Sequence, residues 1–136
     1  MKAIAQVIFA MAATLACCPA AQAGNQYYGE VAINPPARAA SGALNAARRS
    51  QDPRAEIGCA VQYGFPQSQY PYPTEKQVYA TCRALTSQAR LDCISLDPIF
   101  IDMVRAISPS SLVTFAADEN GLCVRMTVDN SSSHLP

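Results

Sequence analysis

Residues 77–97 read QVYATCRALTSQARLDCISLD, and this stretch decides the predicted fold. It contains two runs, 77–85 and 90–96, that are rich in apolar and β-branched residues. Only residues 86–89 separate them, and so short a connection is typical of two antiparallel strands joined as a hairpin.

The hairpin has a register that can be tested. If Ser87–Gln88 forms the turn, positions whose numbers sum to 175 lie opposite each other. Cys82 then faces Cys93, and Arg83 faces Asp92. A single register therefore aligns two cysteines and two opposite charges across the strands, which favours that pairing.

Three more strands are predicted outside this hairpin. Residues 56–65 (EIGCAVQYGF) place apolar side chains on one face, and residues 66–73 (PQSQYPYP) must form a loop because proline cannot donate to a ladder. Residues 112–117 and 122–128 are two apolar, β-branched runs. They flank Asp118-Glu119-Asn120-Gly121, which is a strong hairpin-turn signal.

A helix is predicted between the two hairpins. Asp97 is a preferred N-cap and Pro98 is tolerated at the first helical position, whereas Pro109 ends the segment. Asp102 and Arg105 have ion-pair spacing. The expected apolar face consists of Ile99, Phe100, Met103, Val104 and Ile107.

These elements predict an α+β fold, with a small antiparallel sheet of four or five strands, one helix packed on a face, and two disulfides. The disulfide-tied domain is expected over residues 57–129. Residues 24–56, which include an alanine-rich stretch, are expected to form a weakly structured arm or a short helix. Residues 130–136 (NSSSHLP) form a polar tail.

Residues 1–23 have the features of a signal peptide. Lys2 is followed by a largely apolar run over residues 3–17, and Ala21-Gln22-Ala23 supplies the small residues that a signal peptidase reads. Cleavage before Gly24 is therefore expected. The apolar run is shorter than the roughly 20 residues of a membrane span, so no transmembrane segment is expected in the mature chain.

Two alternatives for this leader remain open. It could stay attached as an N-terminal anchor. It could also carry a lipid at Cys17 or Cys18, because small and aliphatic residues precede these cysteines as they do in bacterial lipoproteins.

The mature chain keeps four cysteines, Cys59, Cys82, Cys93 and Cys123. An even number in a small exported domain predicts two disulfides. A zinc site is the rival, but its ligands usually come in pairs two to four residues apart, which these cysteines do not. The hairpin register favours a Cys82–Cys93 bond, which leaves Cys59 to join Cys123, and the other pairings stay open.

Charge and motifs exclude several function classes. The formal net charge is zero, without the basic face that nucleic-acid binding needs, so no nucleic-acid partner is expected. The single histidine, His134, lies in the tail, and no nucleotide-binding or metalloprotease motif occurs, so no catalytic residue, cofactor or metal is predicted. A hydrolase would need acidic residues, but each candidate has a predicted structural role. The candidates are Asp92, Asp97, Asp102 and Asp118.

The aromatic residues around the proline-rich loop suggest a binding role. Tyr70 and Tyr72 are the candidate binding residues, and Tyr63, Phe65 and Tyr79 lie close to them in sequence. Tyrosine is enriched at interfaces, and a proline-stiffened loop loses little entropy on binding. The alternative is that these rings pack the loop onto the sheet.

The leading hypothesis is a non-enzymatic periplasmic or secreted module that binds a protein or a cell-envelope component. A small carboxylate-dependent envelope hydrolase is the alternative, and a purely structural envelope protein is a third. Two carboxylates that converge in one cleft would favour the hydrolase, whereas dispersed and already partnered acids would favour the binding module.

Several short motifs between residues 47 and 132 resemble a family of small, exported, four-cysteine proteins of Gram-negative bacteria. The resemblance implies an extracytoplasmic location and no activity. The family's Phe-x-Trp-Asp run stands here as Phe115-Ala116-Ala117-Asp118, so a role for that tryptophan does not carry over. The motifs are Ala47-Arg48-Arg49-Ser50, Ile57-Gly58-Cys59, Ala80-Thr81-Cys82, Leu91-Asp92-Cys93, Asp97-Pro98, Val113-Thr114-Phe115, Gly121-Leu122-Cys123 and Val128-Asp129-Asn130-Ser131-Ser132.

Overall fold

Strands dominate the computed structural model, which describes residues 29–66 and 75–131. Within those ranges the elements are β1 (Ala32–Asn34), β2 (Ala39–Ala43), α1 (Leu44–Arg49), β3 (Glu56–Gly64), β4 (Gln77–Leu85), β5 (Arg90–Ser95), α2 (Pro98–Arg105), β6 (Leu112–Ala117) and β7 (Cys123–Asp129). The expected α+β class is confirmed.

The strands form two antiparallel sheets rather than the single sheet that was expected. One has four strands in the order β1-β2-β6-β7, and the other has three in the order β3-β4-β5. The difference arises from β1 and β2, which the sequence pattern did not reveal. Because β2 pairs along the whole of β6, the β6–β7 hairpin joins a sheet of its own instead of extending β3-β4-β5.

Residues 29–56, which were expected to belong to a weakly structured arm or a short helix, contribute β1, β2 and α1. The short helix α1 lies in the alanine-rich stretch as anticipated, but Ala40 and Ala43 of β2 are buried in the core. At Gly42 a Cβ atom would lie 3.1 Å from the Val31 backbone, so this strand packs closely against its neighbours. Alanine and glycine are poor strand formers, and the tertiary packing overrides that preference.

The predicted register of the β4–β5 hairpin is confirmed. Cys82 lies opposite Cys93, and Arg83 lies opposite Asp92. The Arg83 Nε atom lies 2.8 Å from Asp92 Oδ1, so the charges form the expected cross-strand pair. The turn closes with a hydrogen bond that the Thr86 amide donates to a carbonyl 2.9 Å away.

The predicted disulfide pairing is wrong. The bonds join Cys59 to Cys82 and Cys93 to Cys123. Cys82 has a cysteine directly opposite on each side, because β4 is the central strand. The Cα atoms of Cys59 and Cys82 are 4.0 Å apart, the spacing of the closer, non-hydrogen-bonded kind of antiparallel pair, in which side chains approach best. Cys82 bonds to its nearer neighbour, and Cys93 pairs with Cys123 instead.

Helix α2 begins as predicted but buries a slightly different face. The Asp97 carboxylate accepts a hydrogen bond from the Ile99 amide at 2.8 Å, and Arg105 pairs with Asp102 at 2.9 Å. Ile99 was expected in the apolar face but is 72% exposed, and Ile101 is buried instead. The helix contacts strands of both sheets, so its buried face is broader than a stripe fitted to one sheet.

The β6–β7 hairpin turns at the predicted residues. The Asp118 carboxylate accepts hydrogen bonds from the Asn120 and Leu122 amides at 2.9 and 2.8 Å. Gly121 has φ +78°, a left-handed conformation that glycine adopts without a steric cost. Between the two sheets, the core combines residues of both hairpins and α2, with Val113 and Phe115 fully buried.

Candidate binding surface

The outward face of the three-stranded sheet forms an open groove with a volume of about 970 Å³. Strand residues alternate between the two faces of a sheet. Ile57 of β3 and Ala80, Cys82 and Ala84 of β4 are buried on the core side. The alternate residues, such as Thr81, therefore face the groove.

The floor of the groove is made of small residues. Gly58 and Ala60 of β3 lie next to Arg83 and Thr81 of β4 in the ladder. A Cβ atom added at Gly58 would meet no heavy atom within 4 Å. The β3 backbone is thus open to the groove, and β3 is an edge strand of its sheet.

One end of the groove carries an ion triad formed by Arg83, Asp92 and Arg90. Arg83 Nε and Arg90 Nε donate to different oxygens of the Asp92 carboxylate. Partial burial alone would raise the pKa of Asp92, but the hydrogen bonds and positive charges of Arg90 and Arg83 outweigh it and hold the pKa below its usual value. The hydrogen bond to Asp92 raises the pKa of Arg90. Both carboxylate oxygens are thus already engaged.

The other end of the β3–β4 pair carries three exposed apolar side chains that we call the hairpin tip, formed by Tyr63, Phe65 and Val78. These side chains are 71%, 49% and 42% exposed. Tyr63 and Val78 are direct ladder partners near the end of the β3–β4 pair, and Phe65 lines the groove. Tyr63 and Val78 have the parity of the core-side residues but lie past the end of the core, so they are on the face opposite the groove. The only other large exposed apolar side chains of the described residues are Ile99 on α2 and Val124 on β7.

The predicted binding residues Tyr70 and Tyr72 lie outside the described residues. The structure divides the other aromatic residues between the two faces of the sheet: Tyr79 and Phe65 line the groove, whereas Tyr63 has the core-side parity. Val78 was not anticipated. The available signal was its position near the beginning of β4. When a strand extends past the core, the apolar residues in the extension are exposed.

The candidate catalytic carboxylates do not converge. Asp97 caps α2, Asp102 pairs with Arg105, and Asp118 holds the β6–β7 turn. Of these four residues, Asp92 lines the groove, and its carboxylate already accepts hydrogen bonds from two arginines. This arrangement gives the hydrolase hypothesis no support.

The cysteines form a compact cluster beneath the groove. The Sγ atoms of Cys82, Cys93 and Cys123 lie within 4.8 Å of one another, and Cys82 is bonded to Cys59. Three thiolates at such distances could hold a metal, but these sulphurs are all engaged in disulfides. The cluster is therefore a pair of adjacent disulfides.

Comparison with known protein families, curated proteins and solved structures gives no match for this chain. No helix within residues 29–66 and 75–131 has the length and apolar character needed to cross a membrane.

Proposed function

We propose that this protein is a non-enzymatic binding module, periplasmic or secreted, that engages a protein or cell-envelope partner through the hairpin tip. The observation that carries the proposal is the clustering of exposed apolar side chains. Of the five large exposed apolar residues in the described part of the chain, three lie at one end of the β3–β4 pair, and Tyr63 and Val78 are adjacent cross-strand partners. Single exposed apolar residues are common on protein surfaces, whereas a contiguous group marks an interaction site.

The surroundings of the hairpin tip suit an interface. Tyr63 offers a large rigid ring with a polar end, the residue type enriched among binding hot spots. Phe65 also lines the groove on the other face of the same strands, which presents the hydroxyl of Thr81 and the amide of Gln62, whose Nε2 lies 3.5 Å from that hydroxyl. An apolar side chain bordered by polar groups is the usual arrangement of a protein–protein interface.

The proposed location rests on the leader at residues 1–23 and on the disulfides. Structural disulfides are typical of oxidising compartments. Mass spectrometry of protein recovered from the periplasm or medium should find Gly24 at the N-terminus. A mature chain that begins at Cys17 or Cys18 and carries a lipid would contradict release and place the module on a membrane surface.

The binding proposal is tested with paired variants of the tagged protein. Tyr63→Ser and Ile99→Ser remove exposed apolar side chains of matched exposure, 71% and 72%, one at the hairpin tip and one on α2. A partner recovered from the envelope fraction should be captured by the unmodified protein and by Ile99→Ser. Capture by Tyr63→Ser should fall at least about tenfold, because an interface hot spot costs 2 kcal/mol or more when truncated.

Thermal unfolding separates lost binding from lost folding. Both variants should unfold within a few degrees of the unmodified protein, because exposed substitutions change stability by about 0.5 kcal/mol or less. Equal capture by all three proteins would contradict binding through the hairpin tip. Absence of any captured partner would favour the purely structural envelope protein.

A further inference from the structure

In each of the two disulfides, one cysteine is more exposed than the other. Cys59 and Cys123 are partly exposed, whereas Cys82 and Cys93 are only 2% and 4% exposed. Each bond therefore joins a partly exposed residue to a buried one. The two buried cysteines face each other across the β4–β5 ladder.

We propose that this cluster is a disulfide relay, in which two-electron reduction of either native bond ends with a Cys82–Cys93 bond and free thiols at Cys59 and Cys123. The co-reactant is a dithiol, such as a thioredoxin-like protein. The relay would carry reducing equivalents between two separate surface positions through the buried pair. It does not depend on the hairpin tip or on its partner.

The first step takes place at the accessible end. A thiolate of the dithiol attacks Cys59 Sγ, the Cys59–Cys82 bond breaks, and Cys82 leaves as a thiolate. The second thiol of the dithiol then resolves the mixed disulfide, so that Cys59 becomes a thiol and the dithiol becomes a disulfide. Two electrons and two protons have passed from the dithiol to Cys59 and Cys82.

The second step is internal. The Cys82 thiolate attacks Cys93 Sγ, the Cys82–Cys93 bond forms, and the Cys93–Cys123 bond breaks. The leaving electron pair and the proton go to Cys123, so this step involves no net oxidation or reduction. Attack of the dithiol at Cys123 leads to the same product by the mirror route, through a Cys93 thiolate that attacks Cys82.

The geometry supports the internal step. The sulphurs of Cys82, Cys93 and Cys123 lie within 4.8 Å of one another, so the exchanging atoms are already neighbours. In-line attack requires the Cys82 side chain to rotate about χ1, and the loss of the bond to Cys59 permits that rotation. As the hydrogen-bonded neighbours, Cys82 and Cys93 have an expected Cα separation of about 5.5 Å, within the range that disulfides span.

The difference in burial favours exchange towards the Cys82–Cys93 bond. A thiolate generated at Cys82 is surrounded by apolar core, which disfavours the charged form. Exchange moves the free thiols to Cys59 and Cys123, where part of each residue reaches solvent.

The experiment is a limited reduction of the folded protein with dithiothreitol, followed by an acid quench, alkylation of free thiols and peptide mapping. The doubly alkylated form should carry its labels on Cys59 and Cys123 and should contain a Cys82–Cys93 peptide link. Labels on Cys59 and Cys82, or on Cys93 and Cys123, would show independent disulfides and overturn the relay. Simultaneous loss of both bonds with no intermediate would also overturn it.

Two double variants test the inner pair separately. Cys59→Ser with Cys123→Ser should form the Cys82–Cys93 bond in a glutathione buffer, and persistence of two free thiols in a folded chain would contradict the proposal. Cys59→Ser with Cys82→Ser keeps the second disulfide and cannot exchange, so its reduction should label Cys93 and Cys123. If reduction with zinc present gives a zinc-bound four-thiol form without the intermediate, the cluster is a metal site and the relay is refuted.

Discussion

Two long hairpins of this protein, β3–β4 and β6–β7, differ in how far their ends and faces are buried. The β6–β7 hairpin is closed at its turn by the Asp118 carboxylate and buries Phe115 and Val113 completely. The β3–β4 hairpin leaves one face open as a groove and exposes Tyr63 and Val78 near its end.

Sheet position alone does not account for the contrast, because each hairpin has one central strand, β6 or β4, and one edge strand, β7 or β3. The two hairpins differ in burial. Phe115 and Val113 of β6 are fully buried, whereas Tyr63 and Val78 lie where the β3–β4 pair extends past the core and are largely exposed. The comparison implies that substitutions in β6–β7 should reduce folding and substitutions at the hairpin tip should reduce binding.

The largest predicted effect is on the free energy of unfolding, and it is measured with one substitution in each hairpin. Phe115→Ala should lower the free energy of unfolding by about 3–5 kcal/mol, because it opens a cavity at a fully buried position. Phe65→Ala makes the same chemical change at a half-exposed ring and should cost less than about 1 kcal/mol. Urea unfolding of both variants measures the two losses directly.

Similar losses for the two variants would break the comparison. A large loss of unfolding free energy for Phe65→Ala would mean that its ring belongs to the core. The apolar side chains of the hairpin tip would then be explained by folding rather than by binding. A small loss for Phe115→Ala would mean that the core relaxes around the missing ring.

The sequence predicted the local features of the β4–β5 and β6–β7 hairpins well. The turn at 86–89 and the Asp118–Gly121 turn depend on residues close together in the chain, and both formed as expected. The α2 cap depends on Asp97 and Pro98 alone and was also correct. These features follow from short-range chemistry that a single sequence displays.

What the sequence could not supply was long-range. Strand β2 reads AASGA, a pattern of small residues without strand preference, and only its packing between β1 and β6 makes it a strand. The disulfide pairing required knowing that Cys82 has Cys59 on its closer side, which depends on the β3–β4 register. The hairpin tip likewise depends on where the core ends, since Tyr63 has the same parity as the core-facing Ile57.

A second, intermediate effect concerns the open end of the β6–β7 hairpin. Ser111 is fully buried, accepts a hydrogen bond from the Ser108 amide at 2.7 Å and donates to the Asn130 side chain. Asn130 in turn donates to the Ala106 carbonyl at 3.1 Å. Ser111→Ala should therefore cost about 1–3 kcal/mol, because it removes the hydrogen bonds with the Ser108 amide and the Asn130 side chain, each of which contributes about 0.5–1.5 kcal/mol.

Ser110→Ala is the matched control for Ser111→Ala. The Ser110 hydroxyl contacts only the neighbouring Ser108 hydroxyl, at 3.3 Å, among the contacts of the described residues that involve its side chain. Its loss should cost less than about 1 kcal/mol. Equal unfolding free energies for Ser111→Ala and the unmodified protein would show that this end of the hairpin is not held by the serine–asparagine contacts.

The smallest effect is a dependence on pH that distinguishes the groove from the β6–β7 hairpin. The pKa of Asp92 lies below its usual value because Arg90 and Arg83 favour the charged carboxylate over the opposing effect of burial. A depressed folded-state pKa contributes stability above the unfolded value of about 3.9, and that stability is lost as the pH falls through the folded value. The three side chains are partly exposed, so solvent screening limits the contribution to less than about 1 kcal/mol.

Urea unfolding of Asp92→Asn beside the unmodified protein, over a pH range from about 2 to 7, measures that contribution because asparagine resembles the protonated acid. The variant should be slightly less stable at neutral pH, and the two unfolding free energies should converge at the acid end. Salt at about 1 M should shrink the neutral-pH difference, since it screens exposed charges. The loss caused by Ser111→Ala should stay constant over the same range, because its partners are hydroxyl and amide groups. A difference for Asp92→Asn that persists at the lowest pH would show that the residue acts through packing rather than charge, and the groove would then lack the electrostatic character that separates it from the other hairpin.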